Sequence, residues 1–199
     1  MRRGLTALVN ALVAAGLAGL APAVHAAPVD YDFDPTHSFV TFEIVHFDAS
    51  TIRGRIGPIE GSARLDRESR RGRIQAIVPT ASVSTGVAPL DARLRGDGLF
   101  ATATFPQAFF VAEAIELDTQ GAPTTLRGEF TLRGQSQGLT LTAQRFRCYF
   151  QPLLRREVCG GDFSAEFDRS AFGMTDSLPF VADRVRLLIQ IEAIRREPD

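Results

Sequence analysis

An all-β fold of antiparallel strands is what this 199-residue chain predicts. After Ala26, apolar residues recur with period two far more than with period 3.6. Turn residues separate the alternating runs, and a single short stretch reads as helix. The aromatic content agrees: 15 Phe against two Tyr and no Trp are rings that mostly lack a polar tip and need dry surroundings. That apolar load excludes intrinsic disorder.

The first segment belongs to targeting and not to the fold. Met1-Arg2-Arg3 is a short basic start, Leu5 to Leu20 is an apolar run broken by Asn10, and Val24-His25-Ala26 closes it with small residues at its first and third positions. This order is that of a secretory signal peptide cut after Ala26. The run is shorter than the roughly 20 residues that span a bilayer as a helix. The expectation is a cleaved signal peptide over 1–26 and one exported, periplasmic domain over 27–199. With Arg2 and Arg3 removed, 20 basic residues face 23 acidic ones, a net charge of −3, which argues against a nucleic-acid-binding face.

Within the domain, Val40, Phe42, Ile44 and His46 oppose Thr41 and Glu43. Fainter strands follow over 51–56, 62–66 and 73–79. Residues 89–96 then begin with Pro and end with Gly around helix formers, which predicts one or two helical turns. Strands resume over 109–117. Leu126, Gly128, Phe130 and Leu132 alternate with Arg127, Glu129, Thr131 and Arg133, and a strand over 139–150 follows. Phe163, Ala165 and Phe167 alternate with Asp162, Ser164, Glu166 and Asp168. Val185, Leu187, Ile189 and Ile191 alternate with Arg184, Arg186, Gln190 and Glu192, with Leu188 as the lapse. Turns are expected at Gly57-Pro58, Arg71-Gly72, Gly121-Ala122-Pro123, Gly134 to Gly138 and Gly160-Gly161. About eight strands at roughly 20 residues each suit a sandwich or a barrel. Alternation does not choose between them, since both bury one face of every strand. An outer-membrane barrel alternates too, with its apolar face outward.

Chemistry is sparse. His37 and His46 are an odd number of positions apart, so one straight strand would place them on opposite faces, and no shared metal is expected. His37 is expected to hydrogen-bond at the start of the strand and His46 to close its end. No Gly-x-Ser-x-Gly elbow, phosphate loop or dinucleotide fingerprint is present, so no catalytic residue is assigned. Cys148 and Cys159 are the only thiols. Export puts them where disulfides persist, and a bridge closing their ten-residue connection would contribute about 2–3 kcal/mol. A redox dithiol would call for Cys-x-x-Cys, which is lacking. Asp91, Arg93 and Asp97 around the short helix could rim an opening or cap a loop, and capping is the simpler reading.

Several segments, taken in order, resemble the YceI-like family of bacterial periplasmic proteins. Tyr31-Asp32-Phe33-Asp34-Pro35-Thr36-His37-Ser38 followed by Val40, Phe42 and His46 looks like its opening. Ser82-Val83-Ser84-Thr85-Gly86 is similar to its second landmark. Leu90-Asp91-Ala92-Arg93-Leu94 to Phe100, then Thr104-Phe105-Pro106, resembles its short helix and Phe-Pro step. Gly128-Glu129-Phe130-Thr131-Leu132-Arg133-Gly134 and Phe167-Asp168-Arg169-Ser170-Ala171-Phe172-Gly173-Met174 look like its late strand and closing signature. The chain departs from the family at Ala92, where His is usual, and at Gln135-Ser136-Gln137, where Val-Thr is usual. The cysteine-bearing insert resembles one branch of the family.

The resemblance implies a lipocalin-like, extended antiparallel β-barrel of about eight strands with one or two short helices. It also implies an apolar tunnel that holds a polyisoprenoid lipid, such as a quinone tail or a polyprenol, for storage or transport. The tunnel lining would then be Val40, Phe42, Ile44, Phe130, Leu132, Phe163, Phe167, Val185, Leu187, Ile189 and Ile191. Other than such a bound isoprenoid or quinone, no cofactor is implied. The partners expected are the lipid and, transiently, a membrane. Oligomeric state stays open, a homodimer included. Two other readings stand beside this one: an exported enzyme on an apolar substrate with His37 or His46 as base, and a docking partner of a membrane quinone or cytochrome system.

Overall fold

The computed structural model describes residues 27–197, so the expected signal segment lies outside the described residues. Among these residues ten strands follow one another: β1 (Val29–Phe33), β2 (Phe39–His46), β3 (Ser50–Ile56), β4 (Glu60–Asp66), β5 (Arg71–Pro79), β6 (Gln107–Glu116), β7 (Thr125–Leu132), β8 (Gln135–Gln151), β9 (Arg156–Asp168) and β10 (Val181–Arg195). A helix, α1 (Ala88–Arg95), and two 3-10 turns, Thr80–Ser82 and Arg169–Phe172, lie between them.

Every pairing is antiparallel, and the ladder β1-β4-β5-β6-β7-β8-β9-β10 closes on itself because β10 also pairs with β1. β2 and β3 continue the lanes of β1 and β4, so ten segments make a closed barrel of eight lanes. β10 permits this by its length. Its first part faces β2 from Val181↔His46 to Gln190↔Phe39, and its last residues face β1 from Phe33↔Ala193 to Tyr31↔Arg195. Closure through β1 and β10 removes the main sheet edges, while β3 pairs along its length with β2 alone and meets the other side only at the bridge Arg55↔Ser84.

The two broken lanes have local causes. Between β1 and β2, Pro35 lacks an N–H and interrupts pairing. Thr36 donates from its backbone N and its Oγ1 to Asp34 Oδ1 at 2.8 and 2.7 Å, forming a tight turn. Ser38, fully buried, then restores the missing ladder bonds with its side chain. Its Oγ donates to Glu192 O at 3.1 Å and accepts from Glu192 N at 3.2 Å. Between β3 and β4, Gly57 adopts φ 144° before a cis Pro58, and its N–H is taken by Ser82 Oγ at 2.9 Å.

Several sequence expectations need correction. β1 was not anticipated, although Val29, Tyr31 and Phe33 alternate with Asp30 and Asp32; five residues ahead of a Pro give a weak signal. The turn expected at Arg71-Gly72 lies at 67–70, and both residues are paired in β5. The turn expected over Gly134 to Gly138 is confined to Arg133-Gly134, since β8 begins at Gln135. Gly160-Gly161 is no turn at all: both residues pair inside β9. A Cβ on Gly161 would lie 2.6 Å from Arg145 O, so glycine is there to let the bulged β8 backbone approach.

The true turn of this hairpin lies at 152–155, and Cys148 pairs directly with Cys159, several pairs inward from it. The two are joined in a disulfide. The bridge therefore cross-links two paired strands and does not sit at the start of one.

Inward residues are mostly apolar and outward ones mostly polar or charged, the reverse of an outer-membrane barrel. The buried set runs from Tyr31 and Phe33 through Phe42, Phe110, Leu126 and Phe163 to Leu187 and Ala193. Outside lie pairs such as Arg53–Glu43, Arg145–Asp162 and Arg184–Asp168. Among the described residues no helix is long and apolar enough to cross a membrane.

Candidate functional site

Eight lanes enclose more room than their own side chains fill. Two apolar lobes remain inside the barrel, a larger one of about 240 Å³ towards α1 and a smaller one of about 100 Å³ deeper in. Val40, Val78, Phe130 and Leu187 line both, so the lobes meet at a common waist. An engineered apolar cavity of about 150 Å³ stays dry and takes up small hydrocarbons. The larger lobe exceeds that size, and its lining is mostly apolar, with His46, Thr80, Arg93, Arg169, Asp176 and Ser177 as the polar members.

Each of the eleven lining residues expected from the sequence borders one lobe or both. Phe42, Ile44, Leu132, Phe167 and Val185 border the larger lobe, Phe163, Ile189 and Ile191 the smaller, and Val40, Phe130 and Leu187 the waist. Cross-strand register explains the convergence. Val40↔Ile189, Phe42↔Leu187 and Ile44↔Val185 face one another across β2 and β10, while Ala165↔Leu187 and Phe163↔Ile189 do so across β9 and β10. Phe130, Phe167 and Phe172 close one wall with ring centroids 5.3–5.5 Å apart and steep mutual tilts, a favourable aromatic arrangement.

Alternation could not reveal the lid. α1 lies over the large lobe and contributes Leu90, Arg93 and Leu94; the i, i+4 spacing of the two leucines is the only sequence signal for it. Asp91 anchors the helix to the preceding loop. It is buried and accepts from Thr85 N at 2.6 Å, Thr85 Oγ1 at 2.7 Å and Ser84 Oγ at 3.2 Å. Those donors hold its carboxyl below the usual range, Thr85 foremost. Thus Asp91 caps a loop, whereas Arg93 is at the rim, donating to Ser177 Oγ at 2.9 Å.

Arg169 is the polar residue that sequence reading left without a role. It is 3 % exposed, and its guanidinium donates to Met174 O at 2.6 Å, Ala182 O at 2.9 Å and Val181 O at 3.0 Å. It thereby holds both ends of segment 174–182, whose Met174, Asp176, Ser177 and Val181 border the large lobe. Burial lowers its pKa from the ordinary arginine value. Gly173 makes this possible: at φ 72° it is in the left-handed region that ends the 3-10 turn and redirects the chain.

The far end is shut by a polar knot. Tyr31 borders the smaller lobe and its Oη donates to Glu157 Oε1 at 2.7 Å. Arg67 pairs with the same carboxylate and donates to Tyr31 Oη at 3.1 Å. Burial, reinforced by the bond to Glu157, pushes the Tyr31 phenol up to about 12. A folded-state pKa above the unfolded value near 10 stabilises the fold below pH 10, and the contribution is lost as pH rises from 10 to 12. Its size is on the order of 2 kcal/mol. In a Tyr149→Phe background, phenolate absorbance should therefore appear near pH 12 in native protein and near pH 10 after denaturation. Coincident curves would show that Tyr31 is not buried against Glu157.

His37 and His46 do not meet. His37 is exposed in the turn before β2, with Nδ1 2.6 Å from Asp34 Oδ2, and that bond raises its pKa. His46 ends β2 and borders the large lobe. Ala92 and Gln135-Ser136-Gln137, the positions that depart from the family pattern, are exposed and border neither lobe.

Residues 31–193 match the YceI-like domain. A UPF0312 protein of Pseudomonas aeruginosa is 28 % identical over 197 residues, covering 96 % of this chain and 95 % of that protein. A UPF0312 protein of Yersinia pseudotuberculosis is 27 % identical over 179 residues, covering 85 % and 88 %. Among solved structures, Burkholderia cenocepacia BcnA superposes with TM-score 0.64 at 20 % identity over 81 % of this chain and 99 % of its own. A polyisoprenoid binding domain from Saccharophagus degradans gives 0.61 at 18 % identity over 84 % and 99 %. These structures share the barrel. With the domain match running from the buried Tyr31 of β1 to the Ala193 that closes the ring, this chain belongs to the YceI-like family.

Proposed function

We propose that this protein is exported to the periplasm and holds a polyisoprenoid chain, quinone- or polyprenol-like, inside its barrel for storage or transport. The observation that carries the reading is the two-lobed apolar interior, lined by inward faces of β2, β7, β9 and β10 and roofed by α1. A hydrocarbon tail needs that lining and little else. The polyisoprenoid binding domain of the same fold supports the choice of ligand class.

Energetics favour a carrier over a sink. A forty-carbon tail gains on the order of 30 kcal/mol on leaving water, more than measured affinities allow. A bilayer solvates the tail about as well, so transfer from membrane to barrel is nearly neutral for the hydrocarbon. Loading is then decided at the rim and by the strain of threading. This is binding, and the proposal assigns no reaction to the lobe.

Native mass spectrometry of protein purified from a bacterial periplasm, followed by solvent extraction, tests the reading. A bound mass that extracts as a quinone or polyprenol is the expected result. Protein that is empty, and stays empty after mixing with isoprenoid-loaded vesicles, would reduce the lobes to packing voids.

A further inference from the structure

The proposed lipid must enter somewhere, and the two ends of the barrel are not alike. At the deep end, no residue that lines the smaller lobe is exposed, and Tyr31, Arg67 and Glu157 close it. At the α1 end, the exposed side chains of Arg93 and Asp176 are part of the lining of the large lobe. The lobe therefore reaches solvent there.

That same rim carries apolar side chains facing water. Phe47 is 59 % exposed and Phe180 57 %, and their rings stack with centroids 5.1 Å apart. Val87, just before α1, is 53 % exposed. Each is next to the opening in sequence: Phe47 follows His46, Phe180 precedes Val181, and Val87 lies three residues before Leu90, all three of these neighbours being lobe-lining. Phe47 N donates to Phe180 O at 2.7 Å, so hairpin β2–β3 and segment 174–180 present the pair as one unit. Phe47 and Asp48 both have φ 51°, in a turn position that ordinarily takes Asn or Gly. Phe47 meets the rings of Phe180 and His46, yet more than half of it faces water at a turn position that does not call for a bulky residue.

We infer that the Phe47–Phe180 pair, with Val87, is a membrane-docking tip that sets the open end of the barrel against a lipid surface. The inference rests on the lipid-holding reading above. Stacked rings without polar groups suit the boundary between headgroups and acyl chains. Charge selects the kind of surface. Asp48, Asp97, Asp176 and Arg93 are exposed at this end, and Arg95 and Arg133 there are half-buried and tied to backbone carbonyls. Among the described residues this end therefore offers no basic patch to an anionic lipid, which suits a zwitterionic bilayer better. Once docked, a tail would pass from bilayer to lobe without crossing water.

A competing surface exists at the far end, where Leu153 is 92 % and Phe150 66 % exposed beside Arg155 and Arg156. It is separated from the opening by most of the length of β9, about 35 Å.

The chain contains no Trp, so one introduced Trp reports on one site. Phe47→Trp and Leu153→Trp would each be mixed with phosphatidylcholine vesicles and their emission followed. The expected result is a blue shift for Phe47→Trp and none for Leu153→Trp, unchanged when part of the lipid is replaced by phosphatidylglycerol. Phe180→Trp repeats the test should the first variant misfold. A shift at Leu153→Trp, alone or together with Phe47→Trp, would overturn the inference, as would no shift at either position. Failure of the underlying reading looks different: the Phe47→Trp shift would persist while native mass spectrometry found no lipid in the barrel.

Discussion

Arg169→Leu should lower the free energy of unfolding by about 3–5 kcal/mol, the largest stability loss we expect outside the aromatic core. The wild-type guanidinium satisfies the carbonyls of Met174, Val181 and Ala182 at once from a nearly inaccessible position. Leucine leaves all three without a donor, each costing about 1–3 kcal/mol where water cannot enter. Partial rehydration at the nearby opening keeps the total below the full sum. For a domain of this size that corresponds to a melting temperature lower by roughly 10 °C. Arg169→Lys should rescue little, because a single ammonium is a point donor and lacks the planar fork that reaches three carbonyls. Thermal and urea denaturation of the two variants decide it, and a Leu variant within 1 kcal/mol of wild type would sink the assignment. The same variant frees segment 174–182, so extracted lipid should also be lost faster during purification.

Val78→Trp should abolish lipid loading while leaving the fold intact. Val78 lies on β5 at the waist and borders both lobes. The indole would grow into space that is already open, so the usual cost of overpacking, about 1–3 kcal/mol, should be largely avoided. A tail that must pass the waist would then be excluded from the smaller lobe. The expected outcome is unchanged or raised thermal stability with no isoprenoid mass in the native spectrum. Full loading of this variant would mean that the ligand occupies the larger lobe alone. Loss of folding would mean that the waist is already filled.

These two tests bear on different levels of what could be read in advance. The period-two runs in β2, β7, β9 and β10 were plain because most inward residues have charged or polar neighbours, with Phe39, Val45 and Leu188 as exceptions, and the eleven residues they singled out all border the lobes. Leu188 was rightly the lapse: it pairs with Thr41 and Ser164, both on the outer face. The weak spots were glycines. Gly134 does mark a turn, whereas Gly160 and Gly161 mark a close approach of two strands, and the same residue type serves both for want of a Cβ.

Arg169 shows the other kind of limit. It was legible only as part of a motif, since its partners are carbonyls of 174–182, and a backbone carbonyl carries no sequence signal. The roof of the cavity was hidden for a related reason: Leu90 and Leu94 look like any short amphipathic turn until the barrel beneath them is closed.

By itself, then, the sequence determined most of the strands other than β1, the inward faces of β2, β7, β9 and β10, the short helix and the cysteine pair, because each follows from local periodicity or from residue chemistry at close spacing. Only the tertiary structure decided that the strands close as a barrel and not a sandwich. It also decided that the interior stays partly unfilled, that α1 and segment 174–182 sit over one end, and that Tyr31 seals the other with Arg67 and Glu157. Those features depend on β10 reaching from β2 to β1 and on contacts between residues far apart in the chain. Alternation along a single strand tells which side faces inward, but not what lies across from it.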